Sequence, residues 1–276
     1  MTYFAFLAIF VGIPIVILLG LTLWDRRRGI TMPARFNSFS PWWVLFIHII
    51  IAVVYTTPWD NYLVATRVWW YDRALVTGIV IGWVPIEEYT FFIVQPIMTG
   101  LWLLFWMRRT QHSSFLVPHS SFSENNRLRL IVTGITAVVW AVMVGILIAR
   151  WQPGTYLALE LSWALLPIMI QLFFGFDILW YYRRLVLIAI LVPTLYLSFA
   201  DSLAIRAGTW TIDPQQSLNI FIGNLPVEEF IFFLLTNTLL IFGMTLALAA
   251  ESQPRLQHYK ALLTRKQTPP AANSNR

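Results

Sequence analysis

The sequence contains no cysteine, little charge and almost no lysine. Without cysteine, neither a disulfide framework nor a thiolate metal site can form. Only 12% of the 276 residues are charged, about half the usual fraction in a soluble protein. The two lysines, Lys260 and Lys266, lie in a polar tail. This position argues against a seven-helix photoreceptor or pump that binds retinal through a lysine Schiff base inside the bundle.

Long apolar runs are abundant instead, and 58% of the residues are hydrophobic. A helix needs about 20 apolar residues to cross a hydrocarbon layer of ~30 Å. We therefore predict an all-α polytopic membrane protein with about seven transmembrane helices, the first a retained span and not a cleaved signal. The runs are roughly 3–24, 42–57, 86–107, 130–149, 156–174, 185–199 and 226–250.

The basic residues favour one side of the predicted membrane. Of the 19 lysines and arginines, only four fall on the loops of the opposite side: Arg67, Arg73, Arg150 and Arg206. By the positive-inside rule, the N-terminus is expected outside and the C-terminus in the cytoplasm of a plasma or inner membrane. The basic pI of about 9.8 thus reflects topology, and no nucleic-acid partner is expected.

A short motif occurs twice, as "VPIEEYTFF" at 84–92 and as "LPVEEFIFF" at 225–233. When the chain is shifted by 141 residues, 8 of the 14 positions in 79–92 are identical, where ordinary composition would give about one. The chain therefore contains an internal repeat.

The number of spans between the copies is even, so both copies run in the same sense through the membrane. We predict two parallel three-helix repeats and a connecting helix. The divisions are residues 1–109 for the first repeat, 110–150 for a cytoplasmic linker with span four, 151–252 for the second repeat and 253–276 for a disordered tail.

The paired glutamates of the motif have two interpretations. Proline followed by glutamates is a good helix start in any protein, because proline suits the first turn and carboxylates complement the helix dipole. However, about 13 uncharged residues precede each pair. Such a stretch is too short for a spanning helix and fits a re-entrant or broken element that carries the glutamates below the interface. Ionisable groups at that depth usually face a cavity and have a function.

Helical spacing places an aromatic ring four residues after each glutamate. The pairs are Glu87 with Phe91, Glu88 with Phe92, Glu228 with Phe232 and Glu229 with Phe233. A carboxyl group in an apolar pocket, next to a second carboxyl, can hold a proton at neutral pH, and aromatic faces stabilise cations. Together these groups could protonate an alkene, shelter the carbocation and remove a proton afterwards. We predict the four glutamates as catalytic and the four phenylalanines as substrate-binding.

Five further residues are candidates for the lining of the same site. They are Asp60 and Asp201, each 27 residues before the first motif glutamate, Trp69 and Trp210, and the intramembrane Glu160. Turn chemistry for the aspartates and interface anchoring for the tryptophans are the alternatives. No dinucleotide-binding glycine pattern is present, and the four histidines are not spaced as metal ligands. We therefore predict no cofactor and no metal.

With the upstream "WWYD" and "TWTID", the doubled motif resembles the membrane-integral lycopene cyclase family of some bacteria, archaea and fungi. In some bacteria the two halves are separate chains that form a heterodimer, and here they look fused. The resemblance covers about residues 1–250. It implies a redox-neutral lycopene beta-cyclase that closes linear carotenoid end groups into β-ionone rings, with the motif glutamates as the essential carboxyls. Fungal relatives carry a phytoene synthase domain that is not seen here, so cyclisation alone is expected.

Several alternatives stay open at this stage. The substrate could be a C40 or a C50 carotenoid, one or both ends could be closed, and the ring isomer and the separate acid and base are not distinguished. The expected partners are an apolar carotenoid from the bilayer and membrane lipid, and association with other carotenoid-pathway enzymes is open. The competing hypothesis is a proton-coupled carrier that relays protons through the paired glutamates.

Overall fold

Seven long apolar helices make up most of the protein. The computed structural model describes residues 1–113, 115–116 and 121–265. Within these residues, seven helices are long and apolar enough to cross a membrane, which confirms the all-α polytopic prediction. They are α1 Tyr3–Arg27, α2 Pro41–Ala65, α3 Ile86–Arg109, α4 Asn126–Ile148, α5 Thr155–Tyr181, α6 Arg183–Arg206 and α7 Val227–Leu248. A shorter helix, α8, follows at Ser252–Arg265.

Several of the spanning helices are interrupted. Helix α1 contains a π-helical segment at Leu7–Gly12, and α5 bends at Gly175, whose φ of −159° and ψ of 37° are not helical. Five of the spanning helices contain an internal proline: Pro14, Pro58, Pro96, Pro167 and Pro193. Membrane helices tolerate such breaks where neighbouring helices satisfy the freed backbone groups.

Six very short strands lie outside the helices of the described chain. Strand β1, Trp69–Tyr71, pairs antiparallel with β4, Trp210–Ile212, with Trp70 opposite Thr211. The other four form two hairpins just before the motif glutamates. They are β2 Val80–Ile81 with β3 Val84–Pro85, and β5 Phe221–Ile222 with β6 Leu225–Pro226. The uncharged stretches before the glutamates are thus non-helical, as expected, but they are hairpins.

Glycine and proline set the geometry of these hairpins. Gly82 and Gly223 open the two-residue turns with φ of +69° and +65°, a left-handed conformation that favours glycine. Pro85 and Pro226 end the hairpins in extended conformations, and helices α3 and α7 begin at the next residue. The motif is therefore a helix start in both copies.

The two copies of the repeat share backbone contacts as well as sequence. The N–H of Tyr3, at the start of α1, donates to the carbonyl of Leu75 at 2.8 Å. The N–H of Tyr156, at the start of α5, donates to the carbonyl of Gln216 at 2.9 Å, and Gln216 lies 141 residues after Leu75. These contacts agree with a repeat, while the parallel three-helix halves and their boundaries stay predictions.

A buried polar network joins α3, α6 and α7 near their middles. The amide oxygen of Asn237 accepts hydrogen bonds from Gln95 and Thr99, both at 2.9 Å. Its amide nitrogen donates to the hydroxyl of Thr194 at 3.1 Å. Polar side chains of this kind connect membrane helices where the hydrophobic effect cannot drive their association.

The sequence analysis predicts a disordered tail from residue 253, but residues 253–265 are helical. Helix α8 continues to Arg265, and residues 266–276 of the predicted tail lie outside the described residues. The buried guanidinium of Arg255 anchors the start of this helix, because it binds Asp177 of α5 at 2.8 Å and Glu124 at 3.2 Å. Composition alone did not reveal this ion pair, whose members are far apart in the sequence.

Candidate active site

The first glutamate of each motif binds the loop that leads into its own helix. The carboxylate of Glu87 accepts a hydrogen bond from the backbone N–H of Thr77 at 2.6 Å, and Glu228 accepts one from Leu218 at 2.7 Å. Both glutamates are fully buried, and neither lines the cavity described below. Each holds its hairpin segment against the helix start.

The second glutamate of each motif faces an internal cavity of about 40 Å³. Glu88 accepts hydrogen bonds from the hydroxyls of Tyr3 and Tyr71, the latter at 3.0 Å. Glu229 accepts one from the hydroxyl of Tyr156 at 2.7 Å. One carboxyl from each motif copy thus meets the other in a single site, and each is oriented by tyrosine.

Aromatic rings form most of the remaining wall of this cavity. Its other lining residues are Phe6, Trp69, Phe91, Asp201, Trp210, Phe232 and Phe233. The ring centroids of Trp69 and Tyr156 lie 5.2 Å apart, and those of Phe232 and Phe233 lie 5.4 Å apart. Rings at this spacing present π faces and edges to the cavity, and π faces attract cations.

The β1–β4 strand pair places aromatic residues from both halves over the cavity. It carries Trp69 and Tyr71 on one strand and Trp210 on the other. Burial raises the pKa of the Tyr71 phenol, and the nearby carboxylates of Asp60 and Glu88 add to this effect. Tyr71 therefore stays protonated and can donate to Glu88.

Further acidic residues surround the two cavity glutamates. Asp60 is 1% exposed, and neither of its carboxylate oxygens has a hydrogen-bond partner among the described residues. Asp60 lies within electrostatic range of both Glu88 and Glu229, and the buried Glu160 lies within range of Glu229. No lysine, arginine or histidine is among the described residues that line the cavity, so no adjacent cation compensates several ionised carboxylates.

The structure brings together most of the predicted site residues. Phe92 is an exception, because it lines a second cavity and not the one that contains Glu88. Of the two phenylalanines in the first motif copy, Phe91, three residues after Glu88, lines the first cavity with it, and Phe92, four residues after, does not. Asp60 and Glu160 are buried but are not among the residues that line this cavity. The catalytic roles of all these residues stay predictions.

The sequence analysis missed four lining residues: Tyr3, Phe6, Tyr71 and Tyr156. Tyr3 and Tyr156 each lie in the first turn of a spanning helix, a position where tyrosine is common as an interface anchor. Tyr71 belongs to the "WWYD" segment but was not selected. Among the described residues, no group of three or more His, Asp or Glu side chains is arranged to hold a metal ion.

Fold and site together define a polytopic membrane protein with a buried carboxyl pair in an aromatic cavity. The family described as lycopene cyclase matches residues 1–106 and 153–247, so the chain belongs to the lycopene cyclase family, as the doubled motif indicated. A lycopene beta-cyclase of Halobacterium salinarum strain R1 is 37% identical over 248 residues, which is 89% of this chain and 95% of that protein.

Fungal relatives match over a smaller part of their length. The bifunctional lycopene cyclase/phytoene synthase of Blakeslea trispora is 38% identical over 188 residues, 67% of this chain and 30% of that protein. The protein with the same description from Sporisorium reilianum is 36% identical over 199 residues, 70% of this chain and 28% of that protein. No solved structure matches the chain.

Proposed function

We propose that this protein is a lycopene beta-cyclase that converts linear carotenoid end groups into β-ionone rings. The observation that supports the proposal most directly is that Glu88 and Glu229, one from each motif copy, line the same aromatic cavity. An acid and a base that face the same apolar site are what a proton-initiated isomerisation needs. Family membership and the lycopene beta-cyclase relative support lycopene as the substrate.

The reaction needs one proton in and one proton out, with no change of oxidation state. A carboxylic acid adds a proton to C2 of the terminal C1=C2 double bond, which leaves a tertiary cation at C1. The π electrons of C5=C6 attack C1 to form the C1–C6 bond, and the positive charge moves to C5. A carboxylate then removes the proton from C6, and the C5=C6 double bond is restored within the ring.

Glu88 and Glu229 supply the acid and the base in this proposal, and Glu87 and Glu228 act as positioning residues. Only the second glutamate of each motif lines the cavity, whereas the first is used by the preceding loop. The aromatic walls stabilise the cation without reacting with it, because their π faces attract positive charge. They also exclude water, which would otherwise capture the cation as an alcohol.

Expression in a bacterium that accumulates lycopene tests this function. The extracted pigments are separated by chromatography, and a chain with both cavity glutamates replaced by glutamine serves as the control. Conversion of lycopene to γ- or β-carotene by the unchanged chain alone is the expected result. Unchanged lycopene, with the protein present in the membrane, would refute the proposal and favour the carrier hypothesis.

We also propose that the N-terminus lies outside and the C-terminus in the cytoplasm of the cell membrane. The distribution of basic residues supports this orientation. At the proposed cytoplasmic ends of α1 and α3, buried Asp25 binds Arg108 and Arg109, both at 2.9 Å. The cavity glutamates then lie toward the outer side. Reporter fusions at residue 150 and after residue 265 test this, and activity of a cytoplasmic reporter at residue 150 would refute it.

A further inference from the structure

A second cavity adjoins the one that contains the carboxyl pair. Its volume is about 200 Å³, and it lies between helices α2, α3, α5 and α7. Phe91 and Phe232 line both cavities, so their side chains form the wall between them. None of the described residues that line the second cavity is an acid, a lysine or an arginine. It is therefore suited to an uncharged, largely apolar occupant.

The second cavity also adjoins the lipid-facing surface. It shares Ile51, Tyr55 and Trp163 with a groove on the outside of the bundle between α2 and α5. Ile51 is 53% exposed and Val54, also in the groove, is 67% exposed. Apolar side chains exposed on a spanning helix face lipid tails, so this groove faces the bilayer and not water.

Stacked aromatic rings connect this groove with Phe232, which lines the cavity of the carboxyl pair. The rings of Tyr55 and Trp163 are stacked with centroids 5.5 Å apart, and the Tyr55 hydroxyl donates to the Trp163 carbonyl at 2.8 Å. Trp59 stacks on Trp163 at 4.6 Å and on Phe232 at 5.9 Å. A flat conjugated chain can lie against such faces along its length.

The cavity that contains the carboxyl pair is too small for the ring that would form there. A volume of about 40 Å³ holds only one or two water molecules, whereas the cyclised end group has a six-membered ring with methyl substituents. The end group therefore needs part of the second cavity, on the other side of the wall formed by Phe91 and Phe232.

We propose that the acyclic carotenoid enters sideways from the bilayer between α2 and α5, and that its polyene chain occupies the groove and the second cavity. This inference rests on the proposed cyclisation and adds the route and the binding surface to it. One end group passes Phe91 and Phe232 to reach Glu88 and Glu229, while the rest of the molecule extends toward the lipid.

The internal repeat supplies a matched control for this route. A groove formed by α1, α3 and α6 contains Val192 and Tyr196, which are 141 residues after Ile51 and Tyr55. Among the described residues, this groove shares none with either cavity, whereas the groove between α2 and α5 shares three with the second cavity. A change at Val192 therefore alters the counterpart surface without altering the route.

The test compares Ile51→Trp with Val192→Trp in lycopene-accumulating bacteria. Both positions are about half exposed to lipid, at 53% and 45%, so the larger ring fits without overpacking the core. We measure cyclic product and the lycopene that copurifies with each protein. Ile51→Trp is expected to lower both by about tenfold or more, while Val192→Trp changes them by less than about twofold.

A second pair of variants removes any effect of the substitutions on folding. The chain has no cysteine, so Ile51→Cys and Val192→Cys each carry one thiol, and a bulky maleimide is attached after purification in detergent. Labelling at residue 51 is expected to stop lycopene binding and turnover, and labelling at residue 192 is not. Mass spectrometry checks that both variants are labelled to the same extent.

Three results would overturn or separate the claims. Equal effects at residues 51 and 192, or none at residue 51, would refute the route. Copurified phospholipid that depends on Ile51, with lycopene unaffected, would show that the groove is a lipid site instead. Lycopene retention that depends on Ile51 without any cyclic product from the unchanged chain would refute the cyclisation and leave the route standing.

Discussion

The two glutamates of each motif should respond differently to the same substitution. Glutamine has nearly the volume of glutamate but cannot act as a carboxylic acid or as a carboxylate base. Glu88→Gln and Glu229→Gln remove a group that lines the cavity, and loss of a general acid or base typically costs about 10²- to 10⁴-fold in rate. Glu87→Gln and Glu228→Gln leave the cavity lining unchanged.

Substitution of the first glutamate of each motif, Glu87 or Glu228, should lower the stability of the protein instead of its rate. The Glu87 and Glu228 carboxylates accept backbone hydrogen bonds at 2.6 and 2.7 Å. A bond to a charged acceptor contributes about 1 kcal/mol more than a neutral one, and the new amide group would be buried where the second oxygen has no partner now. We expect Glu87→Gln and Glu228→Gln each to lose about 2 kcal/mol of unfolding free energy, and their rates to stay within about tenfold of the unchanged chain.

The assay measures pigment conversion and thermal unfolding of the four purified variants in one detergent. Wild-type rates from Glu88→Gln and Glu229→Gln would refute the acid–base assignment. Equal rate losses in all four variants, with equal stability, would also contradict it, because the geometry gives only the second glutamate of each motif access to the cavity.

Two further predictions use matched positions. Tyr156→Phe removes the tyrosine hydroxyl that donates to Glu229, whereas Tyr71→Phe leaves Glu88 with its hydrogen bond from Tyr3. The rate should therefore fall by about tenfold for the first variant and by less for the second, and the reverse order in the pigment assay would contradict this. Gly82→Ala should lower the melting temperature more than Gly223→Ala. Both glycines have positive φ, but only at Gly82 would an added Cβ meet a side chain, 2.2 Å from the Asn61 oxygen. Equal losses of melting temperature would contradict this prediction.

The sequence predicts the framework of this protein better than its site. The seven spanning helices are recognisable because each must pair its own backbone N–H and C=O groups in lipid. A helix that does so across the membrane needs a run of about 20 apolar residues, which is visible in the sequence. The start of α3 at Ile86 and of α7 at Val227 follows from proline and glutamate chemistry. By contrast, the hairpin strands have two residues each, too few for an alternating pattern to appear.

The partners of the glutamates depend on contacts that no local pattern contains. Tyr3 reaches Glu88 across 85 residues of sequence, and Tyr156 reaches Glu229 across 73. A tyrosine near the end of a span predicts an interface anchor equally well. Helical spacing also did not show that Phe92 lines the second cavity and not the first, since spacing shows which residues share a helix face but not which cavity that face meets.

The presence of both carboxyls in one cavity has a consequence for a substrate with two identical ends. If each motif copy had a site of its own, the two termini of one molecule could react without reorientation. With one shared site, the molecule must withdraw and reverse before its second terminus arrives. The monocyclic pigment is then a free species in the bilayer, and the supply of fresh acyclic pigment determines how much of it is taken on to two rings.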